Sequence, residues 1–200
     1  MASPRQLPKV TAERIEIFFN AYLKRDIAGP TETPPFHREA WALVASNSPR
    51  VALAAPRGHA KSTAITLTYS LVSALFRRDP YVVVVSNTYD IATAFIQTVR
   101  TILTTNEDLM RDFGVDHLEK DTENDIICVM RDGYKFRFKA LGFGQVVRGL
   151  NWGTQRPTLI MMDDVEDDEM VMSDDRRAKA EAWAMSALFP ARDTTRARIR

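Results

Sequence analysis

An α/β fold with a mostly parallel central sheet flanked by helices is predicted for these 200 residues by three observations. Short apolar runs at 51–54, 81–86 and 158–162 alternate with segments of helical spacing, the order that produces parallel strands joined by crossovers. The run Val82-Val83-Val84-Val85 has no polar position, as a strand covered on both faces requires. A composition 45% hydrophobic and 26% charged suits one ordinary globular core.

The first 48 residues read as a helical arm or lid, and residues 49–200 as the α/β core. Ile15, Phe18, Phe19, Tyr22 and Leu23 recur at helical spacing over residues 11–25, with Thr11 as N-cap and Gly29 as terminator. A proline-rich connector, residues 30–35, leads to a second helix over residues 38–46. In the core, a helix over 62–76 follows the first strand, and a helix over 90–103 carries an apolar stripe of Ile91, Ala94, Phe95, Val99 and Ile102.

Residues 126–130 and 134–141 flank Arg131-Asp132-Gly133 and predict a hairpin. In its second strand Tyr134, Phe136 and Phe138 alternate with Lys135, Arg137 and Lys139, which gives one wet face. Cys128, the single cysteine, reads as a small apolar strand residue, so internal disulfides and cysteine-based zinc cages are excluded. Ser173 is placed to cap a helix that opens on Asp174 and Asp175 and continues through Trp183. Another strand is expected to begin at Arg198-Ile199-Arg200, leaving the sheet incomplete at that end.

Two motifs carry chemistry. The first is Ala55-Pro56-Arg57-Gly58-His59-Ala60-Lys61-Ser62-Thr63, between a predicted strand and a predicted helix. A phosphate-binding loop needs that placement: backbone N–H groups of Gly58, His59 and Ala60 and the helix N-terminus face the anion. Lys61 reaches the β and γ phosphates, and the Ser62 hydroxyl is offered to Mg²⁺, with Thr63 beside it. Arg57 puts a second cation beside Lys61, which an intervening anion would reconcile. Both flanking glycines of the usual pattern are alanines here, Ala55 and Ala60.

The second motif is Leu159-Ile160-Met161-Met162-Asp163-Asp164, an apolar strand ending in two carboxylates. Asp163 suits a Mg²⁺ site, and Asp164 is placed to orient or deprotonate an attacking water, with Glu166 as the competing base. The second carboxylate favours hydrolysis over simple binding. Together the motifs predict a P-loop NTPase of the ASCE type that uses ATP and Mg²⁺.

Over residues 34–200 the chain resembles the terminase large subunits of tailed bacteriophages. Phe36-His37-Arg38-Glu39-Ala40-Trp41 is similar to the family's adenine-recognition segment, which points to His37 as a base contact. Residues 56–63 resemble its arginine-containing Walker A loop, and Val82 to Thr88 the strand that follows. Arg148-Gly149 resembles its Arg-Gly pair, and Asp163-Asp164 its Walker B end.

The resemblance implies an ATPase motor that moves double-stranded DNA into a procapsid. It implies Arg148 as an arginine finger toward a neighbouring subunit, a homo-oligomeric ring, and portal and small-terminase partners. It also implies activity in the cytoplasm of an infected bacterium, docked at the portal. The family's coupling motif and nuclease domain would follow residue 200.

A net charge of +1 gives no global reason to bind nucleic acid, and Arg77-Arg78, Arg176-Arg177 and residues 192–200 are the local basic clusters. No apolar run approaches the roughly 20 residues of a membrane span. His59 and His117 lack the clustered partners of a metal site, and Trp41, Trp152 and Trp183 read as packing residues. A helicase-type motor and a non-catalytic nucleotide-binding assembly module are the alternatives.

Overall fold

The computed structural model describes residues 8–27, 33–54, 61–147, 149–165 and 173–200. Six strands form one sheet: β1 (Tyr81–Ser86), β2 (Val115–Thr122), β3 (Asp125–Met130), β4 (Lys135–Gly142), β5 (Leu159–Met162) and β6 (Arg198–Ile199), in the order β2-β3-β4-β1-β5-β6. The β1–β4, β1–β5 and β5–β6 pairs are parallel; the β2–β3 and β3–β4 pairs are antiparallel. The fold is therefore α/β with a mostly parallel sheet.

Helix α1 runs over residues 12–27, with a π turn at Phe19–Leu23, and α2 is Pro35–Ala45. Helix α3 covers 61–75, opening with the π turn Lys61–Leu67 and continuing as Thr68–Leu75. Then come α4 (Tyr89–Thr105), α5 (Glu107–Phe113) and α6 (Asp174–Trp183), which is extended by a further π turn, Ala184–Leu188.

The alternation of β1 divides these helices between two layers. Val82 and Val84 face a cluster with Ile15 and Phe18 of α1, Trp41 of α2, Leu71 of α3 and Ile96 of α4. Val83 and Val85 face a second cluster with Leu150 and Leu188. All six residues of β1 are buried, as its unbroken valine run requires. Cys128 lies buried in β3. The expected caps form: Thr11 accepts from the Arg14 N–H at 3.3 Å and Ser173 from the Arg176 N–H at 3.4 Å.

Four expectations need correction. Residues 51–54 carry no strand: Arg50 bridges to Ile199 in parallel, and the Val51 N–H donates to the Ile199 carbonyl at 3.0 Å. The apolar stripe of α4 is rotated by about one position: Ala92, Ile96, Val99 and Leu103 are buried, while Ile91 is 50% exposed. Strand β2 is additional to the expected hairpin. The hairpin's polar face is not simply wet either. Arg137 is 7% exposed, because the Asp125 carboxylate waits across the ladder with Arg137 Nε and Nη2 at 2.8 and 2.6 Å. The proposed terminator Gly29 lies outside the described residues.

The turn into β1 carries Asp79, which is fully buried and accepts from Arg198 Nη1 at 2.7 Å. Burial pushes its carboxyl from 3.8 up to about 6, against the opposing charges of Arg198, Arg78 and Arg200. The folded value lies above the unfolded one. This group's contribution to stability is therefore greatest below the unfolded value and is lost as pH rises through about 6. Between about pH 4 and pH 7 the wild type should lose roughly 2 kcal/mol relative to Asp79→Asn. Urea unfolding across that range reads the difference, and parallel stability curves for the two proteins would contradict it.

Candidate nucleotide site

Parallel pairing points the C-terminal ends of β1, β4 and β5 to one side of the sheet, where ligands of open α/β sheets bind. At that edge β5 hands over to Asp163, whose N–H donates to the Val85 carbonyl at 2.9 Å, extending the β1–β5 ladder by one residue. Asp164 then takes a left-handed conformation at φ 50°, and its carbonyl accepts from the Asn87 N–H at 3.2 Å. A non-glycine residue at positive φ is uncommon, and aspartate is among the few that tolerate it. The bend separates the two carboxylates: Asp163 is 8% exposed and Asp164 is exposed.

Lys61 is the first residue of α3 and is half-buried, followed by exposed Ser62 and half-buried Thr63. A cleft of about 550 Å³ is lined by Lys61, Ala54, Met162, Asp164 and Val165. A smaller hollow of about 50 Å³ is lined by Lys61, Thr66, Asp163 and Arg200. Residues separated by about a hundred positions in the sequence thus line the same cavities: Lys61 shares the cleft with Asp164 and the smaller hollow with Asp163.

Arg57, Gly58, His59, Ala60, Arg148 and Glu166 lie outside the described residues. His37 sits on α2, 6% exposed, and lines neither cavity. Its ring lies 5.8 Å from that of Trp41, whose Nε1–H donates to the Ala64 carbonyl at 2.6 Å. Trp41 thus links the ring of His37 to α3. Thr88, at the tip of β1, caps α4 by accepting from the Ile91 N–H at 3.3 Å. Close approach of that helix start is possible because Gly142, at the end of β4, has no side chain: a Cβ there would lie 2.7 Å from the Tyr89 nitrogen.

Arg200 was not legible as part of this region. It is 7% exposed and donates to the carbonyls of Val44, Ser46 and Ser48 at 2.8, 3.0 and 2.9 Å, while lining the hollow with Lys61 and Asp163. Its partners are backbone oxygens about 150 positions away, which leave no mark in the local sequence. Thr66 was hidden for a different reason: in the helical pattern it reads as an ordinary core-facing position of α3.

Comparison with known protein families, curated proteins and solved structures gives no match. Among the described residues, no helix is long and apolar enough to cross a membrane.

Proposed function

We propose that this chain is a Mg²⁺-dependent ATPase core, the motor domain of a terminase large subunit that drives double-stranded DNA into a procapsid. The observation that carries the reading is the convergence of Lys61, at the start of α3, with Asp163 and Asp164, at the end of β5, on shared cavities at the C-terminal edge of parallel strands. The sheet order supports the ASCE type. Residue 50 bridges to β6, and β6 pairs with β5, so one additional strand stands between the segment feeding the loop and the acidic strand.

The donor set fits Mg²⁺ and triphosphate. Magnesium prefers hard oxygen ligands and keeps several waters, which suits a single buried carboxylate, Asp163; Ser62, exposed and outside both cavities, would add its hydroxyl only by the motif's pattern. When bound, Mg²⁺ neutralises phosphate charge and polarises the γ-phosphoryl group. Lys61, the first described residue of α3, would add its charge to the partial positive charge that a helix N-terminus carries. Asp164 is exposed to the cleft, where its Oδ atoms accept a proton from the attacking water. By the family resemblance, Arg57 assists Lys61 and Arg148 acts on a neighbouring subunit's phosphate in a ring.

Phosphate release from ATP, with Mg²⁺ and duplex DNA at high protein concentration, tests the reading. Asp163→Asn should lower turnover by about 100-fold or more, since an electrostatic partner of the transition state is lost. Unchanged turnover in that variant sinks the assignment. A second reading, a non-catalytic nucleotide-binding module, is favoured by the alanines at 55 and 60 in place of loop glycines. ATP binding without phosphate release by the wild type would select it.

A further inference from the structure

We propose that Trp41 is a positioning residue: its indole N–H fixes the wide first turn of α3 and thereby the placement of Lys61. Its effect on catalysis presupposes that Lys61 binds phosphate, as proposed above; its effect on the backbone does not.

Helix α3 opens as a π turn, Lys61–Leu67, in which each carbonyl is offered to the N–H five residues on. Such a turn is wider than an α turn and is poorly held by its own ladder. Two side chains reinforce it. Thr68 Oγ1–H donates to the Thr63 carbonyl at 2.9 Å, and Trp41 Nε1–H donates to the Ala64 carbonyl at 2.6 Å. The second bond is fully buried, so no water can replace the indole as the carbonyl's second donor when it is removed. Ala64 lies three positions beyond Lys61, within the same turn.

Trp41 can act as a fixed post because it is itself held on several sides. It is 0% exposed, and its ring packs 5.6 Å from Phe19 and 5.8 Å from His37. The far end of α2 is clamped by two guanidinium groups. Arg78 donates to the carbonyls of Ala45 and Ser46 at 2.8 and 3.0 Å, and Arg200 donates to those of Val44 and Ser46 at 2.8 and 3.0 Å. The last four carbonyls of a helix normally lack intrahelical partners, and these arginines supply partners for two of them, Val44 and Ala45, and for the cap residue Ser46. The post is therefore anchored both to the turn before β1 and to Arg200 at the end of β6, beside the acidic strand. Tryptophan alone among the large apolar side chains combines that ring volume with a donor on its far edge, which phenylalanine or leucine at this position would lack.

Amide hydrogen exchange of the 200-residue chain tests this in Trp41→Phe, with Phe19→Leu as a control that loosens the same ring contact without touching the hydrogen bond. In Trp41→Phe, exchange in peptides covering 61–67 should rise roughly 10-fold while β1 keeps its protection. Phe19→Leu should lower the melting temperature and leave 61–67 as in wild type. If Trp41→Phe fails to fold, β-(3-benzothienyl)alanine at position 41 keeps the bicyclic volume, removes the donor and gives the same readout.

Unchanged exchange at 61–67, an equal rise in β1, or the same local rise in Phe19→Leu each overturns the proposal. With ATP and Mg²⁺, kcat of Trp41→Phe should fall about 10-fold, the penalty of a displaced catalytic group. Local exchange that rises at 61–67 in a protein whose wild type hydrolyses no ATP would uphold the positioning role and reject the ATPase reading instead.

Discussion

Lys61→Ala is expected to cut ATP turnover by about 1000-fold while leaving the fold intact, the upper range for removing one preorganised charge from a phosphoryl-transfer site. The size follows from where the ammonium sits. Lys61 begins α3, lines the cleft with Asp164 and the hollow with Asp163, and is half-buried, so on the proposed reading its charge would act on phosphate across a medium that screens less than water. The fold should barely notice the change. The lysine is outside the apolar clusters, and substitutions away from such features usually stay within about 0.5 kcal/mol.

Lys61→Arg offers a sharper comparison, because a guanidinium keeps the charge but replaces a compact ammonium with a broad planar fork. It should retain nucleotide binding and lose most of the turnover. Phosphate release together with thermal unfolding reads both variants. Full turnover in Lys61→Ala would remove the phosphate role and with it the nucleotide-site reading. A collapse of thermal stability would instead make the lysine structural.

Much of the frame that places this lysine was legible in the chain itself. The valine run of β1, the N-caps Thr11 and Ser173, and the two aspartates closing β5 are local patterns, and local patterns survive folding. What failed was written across the fold. Strand β2 alternates no apolar face, since it is an edge strand exposed at most positions, and its sequence looks like a loop. The stripe of α4 was misjudged by one position because Ile91 and Ala92 are equally acceptable starts until the sheet chooses between them. Residues 51–54 read as a strand on apolarity alone, whereas pairing with the neighbouring β6 is seen only at Arg50 and through the Val51 N–H. The convergence on Lys61 could be guessed from motif order. The roles of Trp41 and Arg200 could not, because each donates to a distant backbone carbonyl that any residue type would present.

Arg137 is the clearest such case, and it leads to the largest expected loss of stability: Asp125→Ala should cost about 3–5 kcal/mol. Asp125 is 2% exposed and Arg137 is 7% exposed, so neither charge can turn to water when the other is removed. The pair is bidentate, with Arg137 Nε and Nη2 donating to Asp125 Oδ1 and Oδ2 at 2.8 and 2.6 Å, and Lys120 Nζ donates to Oδ2 at 2.5 Å. Arg137 also lies over the Tyr81 ring, 4.8 Å from its centroid, and donates from Nη1 to the Asn151 carbonyl at 3.1 Å. One carboxylate therefore ties together β2, β3 and β4 and, through Arg137, β1 and the chain returning toward β5.

The pH dependence has a definite sign. Burial pushes the Asp125 carboxyl upward, but hydrogen bonds from Arg137 and Lys120, with the charges of Arg137 and Lys139, outweigh it and hold the carboxyl below its ordinary value. A folded value below the unfolded one gives stability that is present above the unfolded value, near pH 4, and lost as pH falls through the folded one. The wild type's advantage over Asp125→Ala should accordingly shrink on acidification below about pH 4. That is opposite in direction to Asp79, whose burial outweighs the charges of Arg198, Arg78 and Arg200 and costs stability as pH rises. Urea unfolding of Asp125→Ala at neutral and acid pH separates the two carboxylates: an advantage that persists undiminished in acid would mean that the ionised form of Asp125 is not what holds Arg137 in the sheet.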